Sequence, residues 1–378
     1  SDDTHVMIEA LGRLGVEVHM ENSGRRLRVR GCGGDIPKNE AELFVGNSGT
    51  TVRFLAAMLA LGRGRYRLSG TPRMHERPIA DLIEALGQLG VDIHSEADNG
   101  CPPVVITADG LKGGRAQVRG DVSSQFLSGL LMACPYAQQP TTLEVVGPLV
   151  SQPYVRMTLA VMWAFGVDVP ANDLTRFDIP RIGYRPMEYV IEPDASAASY
   201  FFGAAAVTGG AITVEGLTRS SVQGDVAFVD VLGRMGCRIV EARNGITVHG
   251  GPLRGIEVDM NAISDTVQTL GAVALFAEGP TTITGVGHIR HKETDRIGAL
   301  ACELRKLGAQ VDELPDGLRI VPGPLHGAAI DTYDDHRMAM SLALVGLRVP
   351  GVVIRDPGCT RKTYPGFFDD MTTLVAES

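Results

Sequence analysis

The sequence predicts an α/β (α+β) fold in two domains, each built from internal repeats of one small module. Three observations carry the prediction: two helix signatures that recur along the chain, and a change of composition near residue 192. The first signature is a small polar helix start followed by a run of small and apolar residues. It occurs at Asn47-Ser48-Gly49-Thr50-Thr51, Asp121-Val122-Ser123-Ser124-Gln125, Asp194-Ala195-Ser196-Ala197-Ala198, Ser264-Asp265-Thr266 and Asp334-Asp335-His336-Arg337, at nearly even intervals. Such residues cap helices, and a helix N-terminus with free N–H groups attracts anions. The second signature ends a helix at a glycine: Gly15, Gly90, Gly166, Gly236 and Gly308, again nearly evenly spaced. Each fits Gly at the position just past a helix, with a strand next, as in Val16-Glu17-Val18-His19.

The shared period, about 72 residues, exceeds that of ordinary solenoid repeats and points to a few copies of a small α/β module. The stretch 170–192 is rich in Pro, Asp and Arg, as a crossover would be. The expected domains are therefore 1–192 and 193–378, the second ending in a short helix near Phe367 to Val375. Strands are expected at Ala211-Ile212-Thr213-Val214 and Leu318-Arg319-Ile320-Val321. The spacing also predicts a sixth polar start upstream of Ser1. We therefore expect an N-terminal segment to be missing, or supplied by another polypeptide.

Composition narrows the function. A hydrophobic content of 44% with 21% charged residues is that of a globular protein. No apolar run is long enough to suggest a membrane-spanning helix. A net charge of −9 argues against broad nucleic-acid binding, so an anion site must come from local Arg and Lys clusters. The six cysteines form no close pairs, which argues against zinc and a disulfide framework and fits a reducing, cytoplasmic compartment.

Several segments could carry chemistry, each with a plainer reading beside it. Gly49 would let backbone approach a ligand, or Gly46 to Arg53 is simply a capped helix start without a Walker lysine. Arg73 and Arg77 could fork onto carboxylate or phosphate, or be a solvated pair. Ser123 and Ser124 suit a phosphate monoester and suit capping equally. His288 to Arg296 is the densest run of ionisable residues, and Lys292 and Arg296 would share a face if helical. A solvated charge run is the alternative, but the apolar stretch Thr281 to Val286 brings it to a strand end. Asp194 and Asp265 occupy equivalent repeat positions, where capping is the simpler role. No nucleophile-elbow sequence supports Ser-His-Asp catalysis.

Together these segments resemble the EPSP synthase family, the 3-phosphoshikimate 1-carboxyvinyltransferases of the shikimate pathway. The resemblance covers essentially the whole chain. It rests on Gly46-Asn47-Ser48-Gly49-Thr50, Arg73-Met74-His75-Glu76-Arg77-Pro78, Val122-Ser123-Ser124-Gln125-Phe126 and Val150-Ser151-Gln152-Pro153-Tyr154. Further along, it includes Asp194 to Phe201, Lys292-Glu293-Thr294-Asp295-Arg296, Asp335-His336-Arg337-Met338-Ala339-Met340 and Cys359 to Pro365. It implies the two-domain enolpyruvyl transferase fold, an inside-out α/β barrel with three βαβαββ-like repeats per domain, the domains closing around the substrates. The implied reaction moves the enolpyruvyl group of phosphoenolpyruvate to the 5-hydroxyl of shikimate 3-phosphate and releases phosphate through a tetrahedral intermediate, a step in chorismate and aromatic amino acid biosynthesis.

By the same resemblance, shikimate 3-phosphate would bind to Ser123, Ser124, Gln125, Ser151, Tyr154, Asp265, His288 and Lys292. Phosphoenolpyruvate would bind to Gly49, Arg77, Gln125, Arg296, Arg337 and Lys362. The catalytic set would be Asp265, Lys292 and Glu293, with Glu293 as the acid toward the methylene carbon and Asp265, assisted by Lys292, as the base. No metal or organic cofactor is required, and the expected state is a cytoplasmic monomer with no membrane or nucleic-acid partner. Glyphosate, which mimics phosphoenolpyruvate, is the expected inhibitor.

Departures from the family pattern are specific. Its Gly-Ser-Lys-Ser segment would lie upstream of Ser1, so poor activity is expected without it. His288 stands where Asn is common, and Arg290-His291 where Arg-Val is frequent. Phe54 replaces a common Pro, which suggests altered glyphosate sensitivity. Two other readings stay open: a catalytically incomplete anion-binding fragment, and a UDP-N-acetylglucosamine enolpyruvyl transferase. The latter relies on a reactive loop cysteine, and the surroundings of Cys101 do not match that loop.

Overall fold

The computed structural model describes residues 1–171 and 173–376. It divides into two compact units, one over Asp2–Tyr189 and the other from Val190 onward.

The first unit runs α1 (Asp2–Arg13), β1 (Val18–Glu21), β2 (Arg26–Val29), β3 (Glu40–Phe44), α2 (Gly49–Leu59), β4 (Arg63–Ser69), α3 (Ala80–Gln88), β5 (Asp92–Ser95), β6 (Val104–Asp109), β7 (Gly114–Arg119), α4 (Ser124–Ala133), β8 (Thr141–Val146), α5 (Gln152–Ala164) and β9 (Arg176–Ile179). The second runs α6 (Ala195–Thr208), β10 (Ala211–Glu215), α7 (Phe228–Met235), β11 (Arg238–Ala242), β12 (Gly245–His249), β13 (Glu257–Asp259), α8 (Val267–Ala274), β14 (Thr281–Thr284), α9 (Arg296–Lys306), β15 (Gln310–Leu314), β16 (Gly317–Val321), β17 (Ala329–Ile330), α10 (His336–Ala343), β18 (Val353–Ile354) and α11 (Phe367–Ala376).

The sheets are small and mixed. In the first unit they are the hairpin β1-β2, then β3-β4-β6-β5, then β7-β8-β9. In the second they are β10-β12-β11, β13-β14-β16-β15 and β17-β18. The two four-stranded sheets share order and sense: β3 with β4 and β13 with β14 are parallel, and the remaining pairs are antiparallel. Sheet topology thus recurs once between the units.

The two helix signatures correspond to two environments. Helices that follow polar starts are apolar nearly all round and sit inside their unit. On α6, Ala195, Ser196, Ala198, Ser199, Tyr200, Phe202 and every residue from Gly203 to Val207 are buried. Hydroxyls at equivalent repeat positions meet there: Ser199 lies 3.0 Å from Thr269, which lies 3.2 Å from Ser341. These contacts satisfy polar groups in the interior where α6, α8 and α10 pack. Helices of the second signature are amphipathic. On α7, Phe228, Val229, Val231, Leu232 and Met235 are buried, while Asp230 is exposed. All five terminal glycines have positive φ, from 83° at Gly15 to 121° at Gly236, which only glycine adopts at little cost.

Side-chain capping holds at four of the five polar starts. Ser48, Ser123, Asp194 and Asp335 accept from Thr51, Gln125, Ala197 and Arg337 backbone N–H groups. The start at 264 differs: a 3-10 turn over Asn261–Thr266 leads into α8, with no side-chain cap. The stretch 170–192 also contains more than a crossover, since β9 pairs antiparallel with β8. Strand β1 begins at Val18, later than the expected start at Val16.

Phe54 faces away from the Gly49 turn's polar contacts. It lines an almost wholly apolar cavity of about 500 Å³ with Met58, Leu61, Met132 and Tyr136. In the second unit, Phe367 is fully buried against the rings of Tyr200, Phe201, Tyr364 and Phe368, with centroids 5.1 to 6.1 Å away. This cluster ties α11 to α6. Phe367→Ala should destabilise the protein by about 3–5 kcal/mol, read as a lower urea midpoint; an unchanged midpoint would mean α11 is not part of the cooperative core.

Candidate active site

The second unit gathers charged side chains from four chain segments. Strand β14 ends at Thr284, and the chain turns through a 3-10 turn over Gly287–His291 that presents His288 and then Lys292. Asp295 caps α9 by accepting from the Ile297 and Gly298 N–H groups, each at 3.1 Å, which places Arg296 in the first turn. Asp265 comes from the turn before α8, Arg337 from the start of α10, and Lys362 from the end of a 3-10 turn over Pro357–Lys362. Tyr333 and Asp334, just before α10, both take left-handed backbone (φ 56° and 54°), a conformation that non-glycine residues enter at a cost.

Arg296 is the hub and is only 1% exposed. Its Nε donates to Asp335 at 2.7 Å, its Nη1 to Asp265 at 3.1 Å and its Nη2 to Glu293 at 2.8 Å. Asp265 also accepts from Lys292 Nζ at 2.5 Å and from Arg337 Nη2 at 2.9 Å. Lys362 Nζ lies 3.6 Å from Glu293, and Arg337 Nη1 donates to the Tyr200 hydroxyl at 3.2 Å. Within this set four cations face three carboxylates, a surplus of positive charge in largely desolvated surroundings.

That imbalance sets the protonation states. Burial would raise the Asp265 carboxyl, but Arg337, Lys292 and Arg296 together hold it well below the usual carboxylate range. Burial lowers the Lys292 ammonium, an effect the adjacent Asp265 opposes without cancelling. His288, whose Nε2 lies 3.1 Å from the Ser264 hydroxyl, is pushed down to about 4 by burial and the neighbouring Lys292. His336 is pushed down to about 3, chiefly by burial. Both imidazoles are therefore neutral at pH 7.

The first unit carries a second polar constellation at the heads of α2 and α4. Arg77 Nη1 donates to the Asn47 carbonyl at 2.8 Å and to its side-chain oxygen at 3.2 Å. A Cβ on Gly49 would overlap the Arg77 guanidinium, so only glycine allows this approach. Gln125 Nε2 donates to Thr50 Oγ1 at 2.9 Å, linking α4 to the Gly49 turn. Ser123 caps α4, and Ser124 begins it, buried. Ser151 precedes α5 in left-handed backbone (φ 54°) and makes no capping bond. Its loop is held to the Ser123 approach by a Val150 N–H to Gly120 carbonyl bond of 3.0 Å.

The geometry therefore joins Gly49, Arg77 and Gln125 into one linked set, with Ser151 on an attached loop. It joins Asp265, Lys292, Glu293, Arg296, Arg337 and Lys362 into another, beside His288. Tyr154 lies in the first turn of α5, its N–H bonded to the Ser151 carbonyl. Lys292 and Arg296 do not share a helix: the first ends a 3-10 turn and the second opens α9, yet both reach Asp265. Sequence reasoning overlooked Asp335 as a partner of Arg296, Tyr200 as a partner of Arg337, and Arg53, which donates to Gln125 Oε1 at 2.5 Å. An arginine inside the apolar run Val52 to Ala57 was the available signal for the last. Among the described residues, no cluster of His, Cys, Asp and Glu has the arrangement of a metal site, and no helix is long and apolar enough to cross a membrane.

Fold and charge together describe a repeat-built α/β protein with polar helix heads in one unit and a buried cluster of ion pairs in the other. Comparison places it more closely. Residues 1–371 match the family model EPSP synthase (3-phosphoshikimate 1-carboxyvinyltransferase). The 3-phosphoshikimate 1-carboxyvinyltransferase of Trichormus variabilis is 48% identical over 380 residues, covering 100% of this chain and 89% of that protein. The Nitrosomonas europaea enzyme of the same name is 49% identical over 383 residues, covering 99% and 88%. Among solved structures, an EPSP synthase from Acinetobacter baumannii aligns with a TM-score of 0.79 at 27% identity, covering 98% of this chain and 86% of that one. The enolpyruvyl transferase NikO from Streptomyces tendae shares the fold, with a TM-score of 0.76 at 22% identity over 98% and 86%. The chain belongs to the EPSP synthase family.

Two outcomes follow from this geometry. Gly49→Ala should push the Arg77 guanidinium aside and lower affinity for an anion held there, with little change in melting temperature. A parent-like dissociation constant for phosphoenolpyruvate, measured by calorimetry, would show that the close approach is not used. Secondly, His336 stays neutral in the fold but takes a proton near pH 6.5 when unfolded. Its contribution is fully present above pH 6.5 and is lost as pH falls toward about 3. His336→Leu should therefore flatten the decline of stability between pH 6 and pH 4 by about 1.4 kcal/mol per pH unit; an unchanged slope in denaturant titrations would contradict it.

Proposed function

We propose that this chain is a 3-phosphoshikimate 1-carboxyvinyltransferase. The observation that carries the reading is the cluster around Arg296, in which an acid, a base and surplus positive charge sit together. The family and relatives of the same name, at nearly half identity over the whole chain, support it.

Shikimate 3-phosphate would place its phosphate on Ser123, Ser124 and Ser151, with Gln125 and Tyr154 against the ring and His288 beside Lys292. By the family resemblance, the residues assigned to phosphoenolpyruvate are Gly49, Arg77 and Gln125 of the first unit and Arg296, Arg337 and Lys362 of the second. The cations offset repulsion between two anionic substrates and stabilise charge that develops in the reaction. The 5-hydroxyl oxygen forms a bond to C2 of phosphoenolpyruvate while C3 gains a proton, giving a tetrahedral intermediate. C3 then returns a proton as the C2–O bond to phosphate breaks.

Glu293 is the group assigned to C3. Asp265 and Lys292 handle the hydroxyl proton. With three cations on it, Asp265 is a poor base at rest. Substrate anions that draw Arg337 toward themselves would loosen that hold and raise its proton affinity, while the lowered Lys292 ammonium gives up a proton more readily. Glyphosate would compete for the phosphoenolpyruvate cations. The finer architecture proposed with this function is three βαβαββ-like repeats per domain. Residues 1–192 would bind shikimate 3-phosphate, and residues 193–378 would carry the acid and base, in a cytoplasmic monomer.

The test is phosphate release on mixing the protein with shikimate 3-phosphate and phosphoenolpyruvate, together with formation of the enolpyruvyl ether. Binding of either substrate without release under all conditions would reduce the chain to an anion-binding module. Glu293→Gln should lower kcat about 10²–10⁴-fold and suppress deuterium uptake from solvent into the methylene of phosphoenolpyruvate. Undiminished uptake would remove Glu293 from the acid role.

A further inference from the structure

We infer that Arg53 is a positioning residue of the first unit: it sets which end of the Gln125 carboxamide meets the substrates and holds the Arg77-Pro78 segment in the same act. The inference rests on the enolpyruvyl transferase reading for its consequence, but its geometry stands apart from it.

Arg53 lies on α2, one turn past Gly49, and is 5% exposed. Its Nη1 donates to Gln125 Oε1 at 2.5 Å, and its Nη2 donates to the Pro78 carbonyl at 3.2 Å. Its guanidinium carbon stands 5.1 Å from the centroid of the Phe126 ring, a cation–π distance. One planar head on α2 therefore touches the first turn of α4 and the segment that delivers Arg77. A Cβ on Gly49 would also come within 3.2 Å of Arg53 Nη1, so the same glycine admits both arginines.

The chemistry of the pair fixes the amide. A guanidinium has donors and no acceptor, so the atom of Gln125 facing it must be oxygen. The amino end then points the other way, where one N–H goes to Thr50 Oγ1 at 2.9 Å. The second N–H of Gln125 is the donor presented to a substrate oxygen. Turning the amide over would bring N–H against N–H at Arg53 and remove that donor. A lysine at 53 keeps the charge but has a single ammonium, which cannot span Gln125 and Pro78 as a flat fork does.

The test is a double-mutant cycle on the full chain. Arg53→Lys and Gln125→Met should each lower kcat/KM by about 10²-fold, and the double variant should fall no further than the worse single variant. Multiplied losses, near 10⁴-fold, would show that Arg53 does not act through Gln125 and would overturn the inference. Gln125→Glu keeps an acceptor for Arg53 and for the Thr50 hydroxyl but removes the donor. It should melt at or above the parent temperature and still lose about 10²-fold in kcat/KM; retained activity would overturn the inference as well.

A measurement that needs neither turnover nor an Arg53 variant that matches parent stability uses protein labelled with ¹⁵N at glutamine, with Gln125→Glu to assign the signal. The Gln125 side-chain N–H that donates to Thr50 should be protected from exchange in the parent and lose protection in Arg53→Lys or, if that variant does not fold, in Arg53→Gln. Unchanged protection in a folded variant counts against Arg53 even if the parent turns over. A parent that binds neither substrate but loses Gln125 protection on substitution counts against the enzyme reading and leaves the positioning role standing.

Discussion

The buried guanidinium of Arg296 is the group on which the second unit's charged cluster depends. It bonds to carboxylates from three segments: Asp265 before α8, Glu293 before α9 and Asp335 before α10. Removing any one partner of such a network leaves desolvated charge uncompensated, at a cost of several kcal/mol. The heads of three helices are thereby pinned in one arrangement. Lys292, Arg337 and Lys362 then sit around a core that is already ionised, paired with Asp265 or Glu293.

The first unit reaches a comparable end by different means. There the organising group is again a buried arginine, Arg53, but its partners at Gln125 and Pro78 are neutral acceptors, and a glycine makes room for it. Backbone strain at Ser151, and at Tyr333 and Asp334 in the other unit, lies beside these constellations rather than scattered over the surface loops alone.

Much of the fold was legible because its signals are local. A glycine past a helix must take positive φ, and a Ser or Asp before a helix must find an N–H, so both leave marks at regular spacing. The failures are equally physical. Asp265 sits at a capping position in the repeat but is claimed by three cations, and a 3-10 turn takes over the helix start. Strand β9 hides in a Pro-rich stretch because its pairing with β8 is a tertiary choice. For the site, motif resemblance named Lys292, Glu293, Arg296 and Arg337, but not why they cohere. The roles of Asp335 and Tyr200 arise from packing across 39 and 137 residues of sequence, which periodicity does not reveal.

In the proposed mechanism, the Asp265 carboxylate is held ionised by surrounding cations and becomes a usable base only when substrate anions compete for them. A ¹³C titration of aspartate carboxyls, assigned with Asp265→Asn, tests this directly. Asp265 should stay ionised over the whole pH range in which the free protein remains folded. Its midpoint should rise when shikimate 3-phosphate and phosphoenolpyruvate are added. A midpoint near the ordinary aspartate value of about 3.9 in the free protein, unmoved by the substrates, would contradict it.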